Sequence, residues 1–206
     1  MKLKFENKIV EVCKESTEIE GCFTQGTRIE DSETTQKIYE LTKDFKKDDV
    51  FLDIGANVGT MSLVATGKVY AFEPTKSTFK LLKKNIDLNP ILDITPVCEA
   101  VGDREERYVV RENEEGYSGM NIICSNINGE RQMITIDFWT DNNSVGNIKL
   151  IKIDTEGWDN RVILGAIKII KRYKPLIITE SIIPELLESW YNQEKIGINT
   201  LWTPKK

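Results

Sequence analysis

The chain has 206 residues, a formal net charge of −5, 40% hydrophobic and 30% charged residues, and no histidine. That length suits one domain with a core of its own, and the composition is neither disordered nor collagenous. The missing histidine excludes His-dependent catalysis and the common zinc sites, and the negative charge argues against non-specific nucleic-acid binding, which rests on Lys and Arg contacts to phosphate.

Residues 1–33 mix polar and apolar positions without clear period, with Gly21 and Gly26 as turn signals. They are expected to form an N-terminal cap on a domain of residues 34–206. This N-terminus is broken by charges, and no apolar run approaches a membrane span, so a cytoplasmic protein without membrane association is expected. The four cysteines (Cys13, Cys22, Cys98, Cys124) are scattered, with no CxxC pair, and read as free thiols in a reducing compartment.

Thr34–Phe45 has Ile38, Leu41 and Phe45 at helical spacing. Asp49–Ile54 is a short apolar run ended by glycine, read as a buried strand, and Val58–Ala65 follows as a helix. Lys68–Glu73 is a second strand, Ser77–Leu88 a helix with Phe79, Leu82 and Ile86 on one face, and Ile94–Val101 a third strand. Within the irregular stretch 103–147, Arg107–Glu112 and Gln132–Ile136 are expected to pair as an antiparallel hairpin. Ile148–Ile153 is a fourth strand, Arg161–Arg172 a helix, and Leu176–Glu180 a fifth strand. After that only Ile198–Thr203 reads as a strand. Alternating strands and helices imply right-handed crossovers, hence an α/β fold with a doubly wound, mostly parallel sheet and helices on both faces.

The segment Asp53-Ile-Gly-Ala-Asn-Val-Gly59 leaves the first strand where ligands of open α/β sheets bind. Gly55 and Gly59 permit a sharp turn and close approach of a ligand. The spacing is Gly-x-x-x-Gly, with Asn57 where a dinucleotide site has its middle glycine. Asp53 would repel a phosphate but suits a cationic sulfonium and amino group. Glu73 ends the second strand, where a carboxylate can accept from both ribose hydroxyls. Asp103, in Val-Gly-Asp after the third strand, could accept from an adenine amino group, or simply stand in a turn. Asp154, Glu156 and Glu180 are carboxylates at the ends of the fourth and fifth strands, where mutual repulsion raises pKa values. Lys152 reads as outward on its strand or paired with an acid.

DIGANVG, Phe72-Glu-Pro74 with Asn85 and Asn89 following, VGD, IKIDTEGWD and Pro175–Glu180 occur in an order that resembles the FkbM-type methyltransferases over roughly residues 49–180. The resemblance implies a class I, Rossmann-like methyltransferase fold, S-adenosylmethionine as methyl donor, and O-methylation of a small-molecule, sugar or glycan hydroxyl. Carried over, Gly55, Asn57 and Gly59 would wrap the methionine part, Glu73 the ribose and Asp103 the adenine side. The expected cofactor residues are Asp53, Gly55, Ala56, Asn57, Gly59, Glu73, Pro74, Gly102, Asp103 and Asp154. The expected catalytic residues are Asp154, Glu156 and Glu180, with Asp154 first as general base. Their oxygens also suit Mg²⁺ or Mn²⁺, although a required metal is not favoured. A nucleic-acid or protein methyltransferase, or a nicotinamide-dependent oxidoreductase on a similar sheet, are the alternatives.

Overall fold

The computed structural model describes residues 2–5, 8–13, 29–111, 122–126, 128–129, 131–180 and 184–206. Its chain order begins with β1 (Lys2–Phe5), β2 (Lys8–Glu11) and α1 (Ile29–Thr42). β3 (Asp49–Ile54), α2 (Thr60–Val64), β4 (Lys68–Phe72), α3 (Lys76–Asp87) and β5 (Ile94–Val97) follow. Next come β6 (Arg107–Arg111), β7 (Ile122–Ser125), β8 (Arg131–Gln132), α4 (Ile136–Asn142) and β9 (Asn147–Ile153). The last are α5 (Asp159–Leu164), α6 (Ile167–Tyr173), β10 (Leu176–Thr179), β11 (Tyr191–Ile196) and β12 (Asn199–Pro204).

Seven strands form the main sheet in the order β11-β12-β10-β9-β3-β4-β5. β10, β9, β3, β4 and β5 pair in parallel, while β12 is antiparallel to both β10 and β11. β3 is buried along almost its whole length because helices cover both faces of a parallel sheet. Phe51, Leu63, Val69 and Leu82 pack on one face, and Leu52, Ile54, Ile151, Val162 and Trp202 on the other. The chain runs outward from β3 through β4 to β5 and then returns to β9 on the opposite side. This reversal opens a crevice beyond the carboxyl ends of β3 and β9.

Several expectations change. The 107–112/132–136 hairpin is instead part of a three-stranded antiparallel sheet, β7-β6-β8, with only Arg107 and Tyr108 paired to β8. Ile136 starts α4, where the Thr135 hydroxyl caps the Phe138 N–H. The third strand stops at Val97, and Val101 makes an isolated bridge to Ile134. The single helix 161–172 is two helices, broken at Gly165, where a Cβ would overlap the Gly102 carbonyl. α6 restarts under the buried Asp137 carboxylate, which accepts the N–H groups of Lys168 and Ile169 at 3.0 Å each. The C-terminal segment supplies two strands rather than one. β11 carries polar residues at its four central positions, all exposed at the sheet edge, which hid it from an apolar pattern.

The N-terminal hairpin β1–β2 is docked by Asn85 of α3 and by Asn89 just beyond its C-terminal end. Asn89 accepts the Glu11 N–H at 2.8 Å and donates to the Glu11 carbonyl at 2.6 Å. Asn85 accepts the Cys13 N–H and donates to the Val58 carbonyl, both at 2.8 Å. α1 runs across the boundary expected at residue 33. Cys13, Cys98 and Cys124 are not in disulfides, and Cys22 lies outside the described residues. No described helix is long and apolar enough to cross a membrane.

Candidate active site

A cleft lies over the carboxyl ends of β3, β4 and β9. Gly55 and Asn57 line it from the turn after β3, Glu73, Pro74 and Thr75 from the end of β4, and Asp154, Thr155 and Glu156 from the end of β9. Ile54, Phe72, Glu99, Val101 and Ile123 complete the wall.

The turn after β3 is shaped by its backbone. Gly55 has φ +81°, and a Cβ there would overlap the Asp154 carbonyl, so only glycine lets this turn lie against the end of β9. The N–H groups of Gly55 and Ala56 both donate to the Phe72 carbonyl, at 3.0 and 2.9 Å. Asn57 is left-handed at φ 52°, a conformation Asn tolerates better than most residues. Gly59 sits at the start of α2. Ala56 and Gly59 support the turn and do not line the cleft.

Glu73 is 6% exposed. Its two carboxylate oxygens accept the N–H of Asn57 at 3.1 Å and that of Thr75 at 2.8 Å. Burial pushes its carboxyl up to about 7, against the pull of those hydrogen bonds. The Pro74 carbonyl accepts from Arg131 at 2.6 Å, and the same guanidinium lies 3.7 Å from Glu99.

Asp53 lies beneath the turn and does not line the cleft. It is fully buried and accepts from the Ser62 hydroxyl at 2.6 Å, and burial raises its pKa although the charge of Lys152 opposes this. Lys152, 3% exposed, donates to Asp154 at 2.8 Å. Burial raises the Asp154 pKa, but the Lys152 charge and hydrogen bond outweigh it and hold that carboxyl below its ordinary value. Oxygens of Asp154, Glu156 and Glu180 lie within 4.8 Å of one another. Burial, followed by the Asp154 charge, raises Glu180 to about 7, and the same two causes raise Glu156. The three expected acids are therefore together, with a buried ammonium rather than solvent behind them.

Asp103 and Gly102 sit apart from the cleft wall. Asp103 is ion-paired with Arg161 at 2.6 Å, which holds its carboxyl low against the effect of burial. Arg161 also pairs with Glu106 and lies 4.1 Å above the Trp158 ring. The Trp158 indole N–H donates to the Ile123 carbonyl at 3.0 Å, so this cluster fastens the small sheet to the loop after Asp154. Sequence reasoning missed Glu99, Thr75 and Ile123 as wall residues, and of its two alternatives for Lys152, outward or paired with an acid, the structure has the second. A lysine in a central-strand run had to be buried on either face, which was the available signal for Lys152.

The Methyltransferase FkbM domain profile matches residues 53–195. The hexuronic acid methyltransferase AglP of Haloferax volcanii is 26% identical over 141 residues, covering 67% of this chain and 59% of that protein. Methyltransferase FkbM of Methylobacillus flagellatus superposes with a TM-score of 0.52 at 14% identity, over 82% of this chain and 50% of the other. A methyltransferase from Agrobacterium tumefaciens, described as SAM-dependent, superposes with a TM-score of 0.51 at 12% identity, over 100% and 70%. The chain thus spans between about half and three fifths of the length of the first two relatives. The sheet order and these superpositions give the class I, Rossmann-like methyltransferase fold. The profile spans well over half of the sequence, and the chain belongs to the FkbM methyltransferase domain family.

Proposed function

We propose that this chain transfers a methyl group from S-adenosylmethionine to a hydroxyl of a sugar, glycan or other small molecule. One observation carries the reading: four carboxylates, Glu73, Glu99, Asp154 and Glu156, line the cleft, and no Lys or Arg lines it among the described residues. Such a wall suits a cationic donor with ribose hydroxyls and an amino group, and it repels the pyrophosphate of a dinucleotide. The turn Gly55–Gly59 would hold the methionine portion, Glu73 the ribose hydroxyls, and Glu99 and Val101 the adenine side.

When bound, the donor supplies a methyl group on a positively charged sulfur. The chain aligns the two reactants, a contribution of about 7–11 kcal/mol when the geometry is good, and a carboxylate accepts the hydroxyl proton, adding roughly two to four powers of ten. Asp154 and Glu156 line the cleft, and Glu180 lies within 4.8 Å of both, so these three are the candidates for that role. The sugar acceptor is supported by what AglP is named for, and a phosphate-rich acceptor fits the acidic wall poorly.

The test is incubation with methyl-labelled S-adenosylmethionine and a panel of neutral hexoses, hexuronic acids and short glycans. Alkali-stable label in a sugar product is expected, because an ether survives where a carboxylate ester hydrolyses. Label entering only nucleic acid or protein would overturn the acceptor class.

A further inference from the structure

A central strand buried on both faces ordinarily carries no unpaired cation, because desolvating an ammonium is costly. β9 carries Lys152, 3% exposed. In the sheet it registers with Asp53 on β3 and with Ile178 on β10. Its ammonium donates to Asp154 at 2.8 Å. No described Lys or Arg forms an ion pair with Glu180, although Glu180 shares the 4.8 Å cluster with Asp154 and Glu156.

Resting on the methyltransferase reading above, we infer that Lys152 is a positioning residue: it pins Asp154 as a fixed carboxylate and leaves Glu180 to take the proton of the acceptor hydroxyl. The groups around the pair are Asp53 from β3, Lys152 from β9, Glu156 from the following loop and Asp159 from α5. One cation among these acids can neutralise one of them, and geometry gives it to Asp154. The other carboxyl of the pair is left with its charge opposed by burial and by Asp154. It is raised to about 7, where a base is half-available at neutral pH. Asp154 is held ionised well below that, making it a weak base that suits orientation better than proton transfer. As the acceptor oxygen forms its bond to the methyl carbon, its proton passes to Glu180; the methyl–sulfur bond breaks with its electron pair left on a neutral sulfur.

The experiment uses the whole chain and two readouts. Carbon-13 NMR of labelled Glu side chains is followed against pH in ligand-free wild type, Glu180→Gln and Lys152→Met. Steady-state kinetics and S-adenosylhomocysteine calorimetry are run on the same proteins. In wild type, a resonance that disappears in Glu180→Gln should titrate near 7. In Lys152→Met the shared titration of the hydrogen-bonded Asp154–Glu180 pair should move up, since the cation that holds Asp154 ionised has been removed. Turnover in Glu180→Gln should fall by roughly two to four powers of ten. The acid limb of the Lys152→Met pH–rate profile should move with the NMR titration, while S-adenosylhomocysteine affinity changes less than about three-fold. A Glu180 resonance titrating in the usual carboxylate range overturns the inference, and so does a Lys152→Met profile that does not move. If Lys152→Met fails to fold, the wild-type and Glu180→Gln titrations still decide. Failure of wild type to bind S-adenosylhomocysteine or to transfer methyl would instead sink the methyltransferase reading, separately from the ligand-free titration.

Discussion

The Glu73 carboxylate accepts the backbone N–H of Asn57 at 3.1 Å, so the acid that ends β4 and the turn that leaves β3 hold each other in place. Its other oxygen holds the Thr75 N–H. Glu73→Ala removes the acceptor of two N–H groups and is expected to destabilise the fold by about 1–3 kcal/mol. It should also weaken S-adenosylhomocysteine binding by at least about ten-fold, the value of a charge-assisted hydrogen bond. Urea unfolding and calorimetry measure the two effects separately.

The same residue makes cofactor binding pH-dependent. In the ligand-free protein burial raises Glu73 to about 7, and ribose hydroxyls would hydrogen-bond its charged form and lower that value on binding. The sign follows: affinity rises with pH through about 7 and levels off above it, with a loss of up to about ten-fold per unit on the acid side. Glu180, also raised to about 7, is separated from this effect by repeating the titration in Glu73→Gln. There the slope through neutrality should disappear.

Gly55→Ala tests the contact between the two strand ends. The new Cβ would overlap the Asp154 carbonyl at a backbone φ of +81°. Destabilisation by more than about 1 kcal/mol is expected, because an alanine is strained there even before the clash. Turnover should fall with it, since the turn and Asp154 must move apart. Thermal unfolding together with the turnover of the remaining folded protein checks both.

Arg161 fastens the small sheet through Asp103, Glu106 and the Trp158 ring. Its side chain is 25% exposed, so Arg161→Ala is expected to lower stability by only about 1 kcal/mol. Because Ile123 of that sheet lines the cleft, the KM for acceptor should rise while S-adenosylhomocysteine affinity stays within about three-fold. Equal losses in both would show that the cluster supports the donor side instead.

Removal of divalent ions is expected to leave turnover unchanged. The Lys152 ammonium already rests on Asp154, one of the three carboxylates that a metal would need as a ligand. Turnover lost on chelation and restored by Mg²⁺ or Mn²⁺ would contradict this.

The sheet was legible because β3, β4, β9 and β10 are short apolar runs ended by Gly, Glu or Asp, and such runs have few alternatives in an α/β chain. Gly55, Asn57, Glu73, Asp154, Glu156 and Glu180 were legible for the same reason, since all stand at or just past strand ends. The small sheet was not, because its pairing depends on contacts across the chain, such as Glu106 and Ser125 meeting Arg161. Nor was the position of Asp103, whose role near adenine depended on Arg161 lying elsewhere. Lys152 and Asp53 were ambiguous because polarity in a strand usually marks a solvent face, and here neither face has one.

The central claim is that this acid-lined cleft holds S-adenosylmethionine, and calorimetric titration of the chain with S-adenosylhomocysteine at pH 8, beside NAD⁺, tests it most directly. One saturable site for S-adenosylhomocysteine, weakened by Glu73→Ala, with no heat from NAD⁺, is the predicted result. Absence of S-adenosylhomocysteine binding, or binding that ignores Glu73, would contradict the account.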